Sequence, residues 1–318
     1  MEKKNVVAGI IGCGGVAYHH VEGYKANDIK IAALADVNLE SAKKIMDYIG
    51  YEVKIYNDSA ALLDSGECTA VSICTPPVFH AEWVIKALNK GIHVLCEKPI
   101  ADTLEAAEAI REAAHKSQAK FMMAFRHRFL DSSRKLKQLI ESGEIGRPLL
   151  FHNEFFGSAF GMKDRWFCQK KLAGGGSMLD TSSHAVDLFR YLFGEIVEQH
   201  AVMNRYFENT DVEDSAILTV RSAGGVIGSM VSSFTIGSGN ALITIAGDKG
   251  RAVYDYKFGD RITIYKGKDE PRTIPVDVSD GFPAEVALFV NAITEDAESP
   301  LGADAGVRAF EVIAANYR

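Results

Sequence analysis

The hexapeptide Gly12-Cys13-Gly14-Gly15-Val16-Ala17 constrains this chain more than any other segment. It fits G-x-G-x-x-A, follows the apolar run 6–11 and opens an amphipathic stretch. Small residues have a physical reason at these positions. Gly12 permits a tight turn, Gly14 lets backbone approach a pyrophosphate, and Ala17 lets helix and strand pack closely. The helix N-terminus then favours the anion. Asp36 closes the second apolar run, 22 residues beyond Gly14, where a carboxylate accepts from ribose hydroxyls. The same carboxylate repels a 2′-phosphate, so NAD is expected over NADP. Val37 and Asn38 bring no cation, and only Lys43 and Lys44 on the next helix could reach over.

The strand–helix alternation runs on to residue 125. Apolar runs at 6–11, 29–35, 70–74, 92–96 and 120–124, with a weaker one at 52–56, predict strands; 15–27, 39–48, 78–90 and 103–117 carry helical spacing. Ala81, Val84, Ile85 and Leu88 form one buried face; Leu104, Ala107, Ile110 and Ala114 form another, in a helix that the Thr103 hydroxyl caps. Continuously apolar strands between helices mean a parallel sheet covered on both faces. Residues 1–125 are thus expected to form an NAD(P)-binding Rossmann domain. Beyond them, helices at 131–142 and 177–193 precede strands at 196–207, 215–222, 225–235, 240–247, 251–257 and 260–266, and helices at 283–295 and 303–316 follow. Turns such as Ala223-Gly224-Gly225 make that sheet open and mostly antiparallel. The fold class is therefore α/β: a doubly wound parallel sheet, then an α+β domain over 126–318 for substrate binding and oligomerisation. The last helix meets no stop signal before Arg318, so a longer natural chain is expected.

Composition narrows the function classes. With 47% hydrophobic and 24% charged residues, the chain is not intrinsically disordered. No apolar run of about 18 residues exists to span a membrane. A net charge of −7 without a long Lys/Arg run leaves no footprint for nucleic acid. Gly9, Gly12, Gly14 and Gly15 interrupt the N-terminal apolar run, which argues against a signal peptide and for a cytoplasmic protein. The five cysteines, Cys13, Cys68, Cys74, Cys96 and Cys168, include no C-x-x-C pair. Neither disulfides nor a metal site is expected, and a reducing compartment fits.

Ligands of open α/β sheets bind beyond the carboxyl ends of the strands. Cys96-Glu97-Lys98-Pro99 follows the fifth strand, and Pro99 biases Lys98 toward extended backbone. From position alone, Lys98 either binds a substrate hydroxyl and favours its alkoxide, or is a surface lysine paired with Glu97. Thr75-Pro76-Pro77 follows the fourth strand and leads to His80; this is a second ligand loop, or a simple turn with His80 on a helix surface. Gly174-Gly175-Gly176 opens the helix that closes at Gly194. In it Asp180, His184 and Asp187 are spaced four and three, so they share one polar face of an apolar helix. Two readings stay open. Ser177-x-x-Asp180 fits a capping box, with Asp187 paired to Arg190. Alternatively His184 is a general base near neutral pH, with Asp180 orienting it or binding a substrate hydroxyl.

Taken in order, the 12–17 loop, Thr75-Pro76-Pro77 with His80, Glu97-Lys98-Pro99, and Gly174-Gly175-Gly176 followed by Asp180-x-x-x-His184 resemble one family. It is the glucose–fructose oxidoreductase/inositol dehydrogenase/MocA family of NAD(P)-dependent oxidoreductases, and the resemblance covers nearly the whole chain. It implies a catalytic set of Lys98, Asp180 and His184. It also implies that Thr75, Pro76, His80, Glu97 and Lys98 join the glycine loop and Asp36 in holding the cofactor. The implied substrate is a hydroxyl, or the matching ketone, of a sugar, cyclitol or related polyol. Arg165-Trp166 resembles a pair that lies close to the site in the family. Arg126, His127, His152 and Asn153 are further polar candidates for the pocket. Rival functions are a glycosidase that oxidises its substrate transiently with bound NAD, a non-catalytic dinucleotide-binding regulator, and a keto-sugar reductase with another acid such as a tyrosine. The intact trio argues against the regulator. Over 225–235, Val226, Gly228, Met230, Ser232 and Phe234 share one face; Ile227, Ser229, Val231 and Ser233 share the other, and neither face is charged. One face should cover the chain's own helices and the other the same sheet of a second subunit, as in the family. A homodimer or homotetramer is expected.

Overall fold

The computed structural model describes residues 2–158, 165–208 and 210–317; Arg318, which bears on the expected chain length, lies outside them. The chain forms two compact units, Met1–Phe125 with Phe282–Phe310 and Arg126–Gly281 with Glu311–Arg318. The boundary expected from sequence, at 125/126, puts 282–310 in the second unit, whereas the fold puts them in the first. The reason for the difference is a close helix–helix contact. A Cβ on Gly23 would lie 2.6 Å from Val286 Cγ2 and 3.1 Å from the Phe282 carbonyl oxygen. Amphipathic spacing reveals that a helix buries one face, but not which sheet it returns to.

In the first unit, β1 (Val7–Ile11), β2 (Lys30–Ala35), β3 (Lys54–Tyr56), β4 (Ala70–Ile73), β5 (His93–Glu97) and β6 (Phe121–Ala124) form a six-stranded sheet ordered β3-β2-β1-β4-β5-β6. Every pairing is parallel. Ala8, Ile10, Ile11, Val71 and Ile73 are fully buried, as continuous apolar strands require. The helices are α1 (Ala17–Ala26), α2 (Leu39–Ile49), α3 (Ser59–Asp64), α4 (His80–Asn89) and α5 (Leu104–Lys116). Thr103 Oγ1 accepts from the Ala106 N–H at 3.2 Å and so caps α5. Helix α3 escaped the sequence reading because six residues are too few to show a period. The strand order reverses direction between β1 and β4, which makes a crevice at their carboxyl ends.

The second unit begins with α6 (Asp131–Glu141) and β7 (Pro148–Ser158), then α7 (Lys170–Ala173), α8 (Ser177–Asp180) and α9 (Ser182–Phe193). Strands β8 (Ile196–Asn204), β9 (Ser215–Ser222), β10 (Ile227–Ser233), β11 (Thr235–Gly247), β12 (Gly250–Asp255), β13 (Arg261–Tyr265) and β14 (Arg272–Pro275) follow. Helix α10 (Phe282–Thr294) and residues 303–310 of α11 (Ala303–Ala314) return to the first unit, and the end of α11 belongs to the second. The eight-stranded sheet runs β14-β13-β12-β11-β7-β10-β9-β8, antiparallel except where β7 pairs β10. Gly228, Met230 and Ser232 of β10 are buried, whereas Ile227, Ser229 and Val231 keep exposure. The sequence reading missed β7, a central strand, because His152, Asn153 and Glu154 interrupt its apolar run. No helix among the described residues is long and apolar enough to cross a membrane.

Candidate active site

The first unit supplies a dinucleotide cradle. Gly12 has φ +92°, and a Cβ there would lie 2.7 Å from the Cys74 carbonyl and the Thr75 nitrogen. The glycine loop therefore packs directly on the loop after β4. In front of α1, a Cβ on Gly14 or Gly15 would meet nothing within 4 Å, which leaves room for a pyrophosphate at the helix N-terminus. Ala17 is fully buried, as close packing requires. The Cys13 N–H donates to Asp36 Oδ2 at 2.7 Å, and the Asn38 N–H donates to Oδ1 at 2.7 Å. Asp36 is thus fixed beside the loop, with lone pairs left for ribose hydroxyls. Burial, then Asp36, pushes the Cys13 thiol up to about 12, so it stays protonated. The open cradle and anchored acid fit an NAD-type cofactor.

Two buried histidines lie behind the edge loops. His80 is not on a helix surface: it is fully buried, with Nδ1 2.9 Å from the Pro99 carbonyl and Nε2 2.8 Å from the Thr75 carbonyl. Any hold it has on a cofactor passes through Thr75, Pro76 and the Lys98-Pro99 loop. Burial keeps its pKa below the ordinary histidine value even against the two carbonyls. Glu97 is likewise buried rather than a surface acid. Its Oε1 lies 3.0 Å from His20 Nε2, and its Oε2 accepts the Lys98 N–H at 3.1 Å. His20 was missed by the sequence reading; one histidine inside a helix gives no signal of what it faces.

The second unit holds Asp180 and His184. The expected single helix over 177–193 is broken at Thr181, so Asp180 ends α8 and His184 sits in the first turn of α9. Of the two readings, the capping box does not form, because Glu213 takes that place. Its carboxylate accepts from the Gly176 N–H at 2.9 Å and the Met178 N–H at 2.9 Å, and from the Tyr317 hydroxyl at 2.7 Å. A Cβ on Gly176 would lie 1.7 Å from the Glu213 carbonyl oxygen, so the third glycine of the run is a packing requirement. Asp187 does not pair with Arg190. Both its oxygens accept from Arg128, at 2.7 and 2.6 Å, while Arg190 binds Glu195. Asp187 is buried and structural.

The His184 ring centroid lies 4.4 Å from that of His127. His127 Nδ1 is 3.1 Å from the Tyr256 hydroxyl, and its ring meets Phe155 edge-on at 5.2 Å. Of the other polar candidates, Asn153 is buried and its Nδ2 donates to the Leu242 carbonyl at 3.2 Å. His152 points to the opposite sheet face, bonded to Ser229 Oγ and Glu154. Arg126 donates to the Asp280 carbonyl at 2.9 Å. Trp166 packs edge-on against Phe167, 5.8 Å between centroids, and Arg165 is exposed. Tyr256 and Phe155 carried no sequence signal, since neither follows a motif. Among the described residues no three His, Cys, Asp or Glu side chains gather as metal ligands.

A parallel sheet ordered around a glycine-loop cradle, followed by an α+β unit with an Asp/His pair, defines a dinucleotide-binding oxidoreductase. Residues 6–125 match the oxidoreductase family with an NAD-binding Rossmann fold, and residues 133–253 match the GFO/IDH/MocA C-terminal domain. The chain belongs to the GFO/IDH/MocA family of oxidoreductases. It is 27% identical over 304 residues to levoglucosan dehydrogenase of Pseudarthrobacter phenanthrenivorans, covering 84% of this chain and 78% of that one. It is 28% identical over 254 residues to myo-inositol 2-dehydrogenase of Thermotoga maritima, covering 78% and 74%. A solved structure of levoglucosan dehydrogenase with NADH and L-sorbose superposes with a TM-score of 0.88, at 25% identity, over 98% of this chain and 97% of the other.

Proposed function

We propose that the protein moves a hydride reversibly between NAD and a ring hydroxyl or ketone of a sugar, cyclitol or related polyol. The observation that carries this reading is a division of labour among the acids. Glu213 caps the helix that Asp180 ends, and Asp187 takes Arg128. The capping duty that the spacing offered Asp180 falls to Glu213, and Asp187 pairs with Arg128 instead of Arg190. Relatives that oxidise levoglucosan and myo-inositol, by their names, support the substrate class.

A nicotinamide, when bound, supplies the hydride acceptor or donor. The backbone of Gly12–Ala17 and the N-terminus of α1 hold the pyrophosphate, and Asp36 accepts from the ribose. His184 takes the hydroxyl proton. Lys98 donates to the reacting oxygen and its charge favours the alkoxide. Asp180 binds a neighbouring hydroxyl and sets the ring's pose. Orientation of this kind is worth on the order of 7–11 kcal/mol in well-aligned systems. The carboxylate of Asp36 favours NAD over NADP. Calorimetry should show tighter NAD binding, and Lys98→Met should keep that binding while losing most of its turnover. Tighter NADP binding, or wild-type kcat in the variant, contradicts these assignments.

We also read the protein as a cytoplasmic homodimer or homotetramer. Five buried thiols suit a reducing compartment. The solvent-side sheet face carries exposed Leu150, Ile227, Ile217 and Val202, with Leu150 beside Ile227 and Ile217 beside Val202. A second copy of the same face would cover these side chains in a self-complementary contact.

A further inference from the structure

We propose that His20 and His80 are positioning residues that lock the backbone on either side of Lys98. The inference rests on Lys98 acting on the reacting oxygen. It starts from a chain of buried hydrogen bonds with no other evident purpose. Tyr24 Oη is 2.8 Å from Ser72 Oγ, which is 2.9 Å from His20 Nδ1. His20 Nε2 is 3.0 Å from Glu97 Oε1, and the Lys98 N–H donates to Glu97 Oε2 at 3.1 Å. Tyr24, Ser72 and His20 are fully buried.

One arrangement of protons satisfies every link. Burial pushes the Tyr24 phenol up, so it keeps its proton and donates to Ser72 Oγ. Ser72 donates to Nδ1 of a neutral imidazole, whose Nε2–H donates to Glu97. The chain then runs in one direction and ends on a carboxylate whose second oxygen grips the Lys98 amide. A buried network satisfied throughout rigidifies what it touches. On the other flank, His80 lies between the Pro99 and Thr75 carbonyls at 2.9 and 2.8 Å, and in its Nδ1–H tautomer it donates to Pro99. Both neighbours of Lys98 are therefore anchored to helices outside its own loop: Glu97 to α1, and Pro99 to α4. Hydride transfer tolerates little misplacement of the group that holds the oxygen, so a lysine on a loop gains from such a clamp.

The reading separates His20, His80 and Glu97 from cofactor binding. His20→Leu and His80→Leu should each lower kcat about tenfold or more, with the Kd for NAD within about twofold of wild type. In a Lys98→Met background, neither change should lower residual turnover further, because the residue they position is gone. Additive losses overturn the proposal, as does a raised NAD Kd with unchanged kcat. A second readout needs no substrate: hydrogen exchange at the Lys98 amide should quicken in His20→Leu while amides in β1 keep their protection. Unchanged exchange at Lys98 also overturns the proposal. If His20→Leu fails to fold, His20→Gln and His20→Asn carry the comparison. Only glutamine places an N–H at the reach of Nε2, so it should retain more kcat; equal kcat in the two overturns the proposal. Wild-type kcat in Lys98→Met alone would instead sink the role of Lys98 itself.

Discussion

Arg128 binds Asp187 through two hydrogen bonds, and that grip separates Asp187 from the Asp180/His184 pair on the neighbouring turns. His184 instead lies against His127, which Tyr256 holds at Nδ1. His184→Ala should therefore cost roughly 10²-fold or more in kcat, the usual scale for a general base, while the urea midpoint moves little. A full loss of folding would show that the ring serves packing. Glu97 gives a pH signature. Burial raises its pKa, but the hydrogen bond from His20, with the charge and amide of Lys98, outweighs this and holds it below the ordinary carboxylate value. A depressed folded-state pKa stabilises above the unfolded value, near 4.3, and the contribution is lost as pH falls through the folded value. The stability gap between wild type and Glu97→Gln should thus be full at neutral pH and shrink below about pH 4. A gap that stays constant with pH would contradict the depressed pKa.

At the scale of elements, the glycine loop, the parallel strands and the edge positions of Lys98 and Thr75 were legible because each follows from local chemistry. The loop needs small residues, buried strands need continuous apolar runs, and ligand loops follow strand ends. What sequence could not show depends on partners far along the chain. The cap of α8 comes from Glu213, 37 residues from Gly176. The brace behind Lys98 comes from His20, 77 residues from Glu97. The polar stretch 152–154 hid β7 because His152 and Glu154 bond across the outer face, a pairing that only the folded sheet creates. The Glu213 cap can be tested alone. Glu213→Ala orphans two helix N–H groups and a buried hydroxyl, so it should cost about 3 kcal/mol in urea unfolding. It should also lower kcat by releasing the start of α8, the short helix that ends on Asp180. A loss below about 1 kcal/mol would mean water replaces the carboxylate.

For the whole molecule, the open face of the eight-stranded sheet and the proposed chemistry make separate demands. Exposed Leu150, Ile227, Ile217 and Val202 call for cover. Light scattering at micromolar concentration should return two or four chain masses, and Ile217→Lys should shift the population toward monomer. A monomer in the wild type would defeat the assembly reading without touching the chemistry. The chemistry has its own direct measurement: wild-type protein saturated with NAD, offered inositols, aldoses, glucosides and 1,6-anhydro sugars in turn, with NADH absorbance followed over time. The account expects NADH to accumulate with at least one of these polyols, and Lys98→Met to form it at least about 10²-fold more slowly while still binding NAD. Tight NAD binding with no NADH from any polyol, and no NADH consumed by the matching ketones, would contradict hydride transfer and leave a dinucleotide-binding protein of another kind.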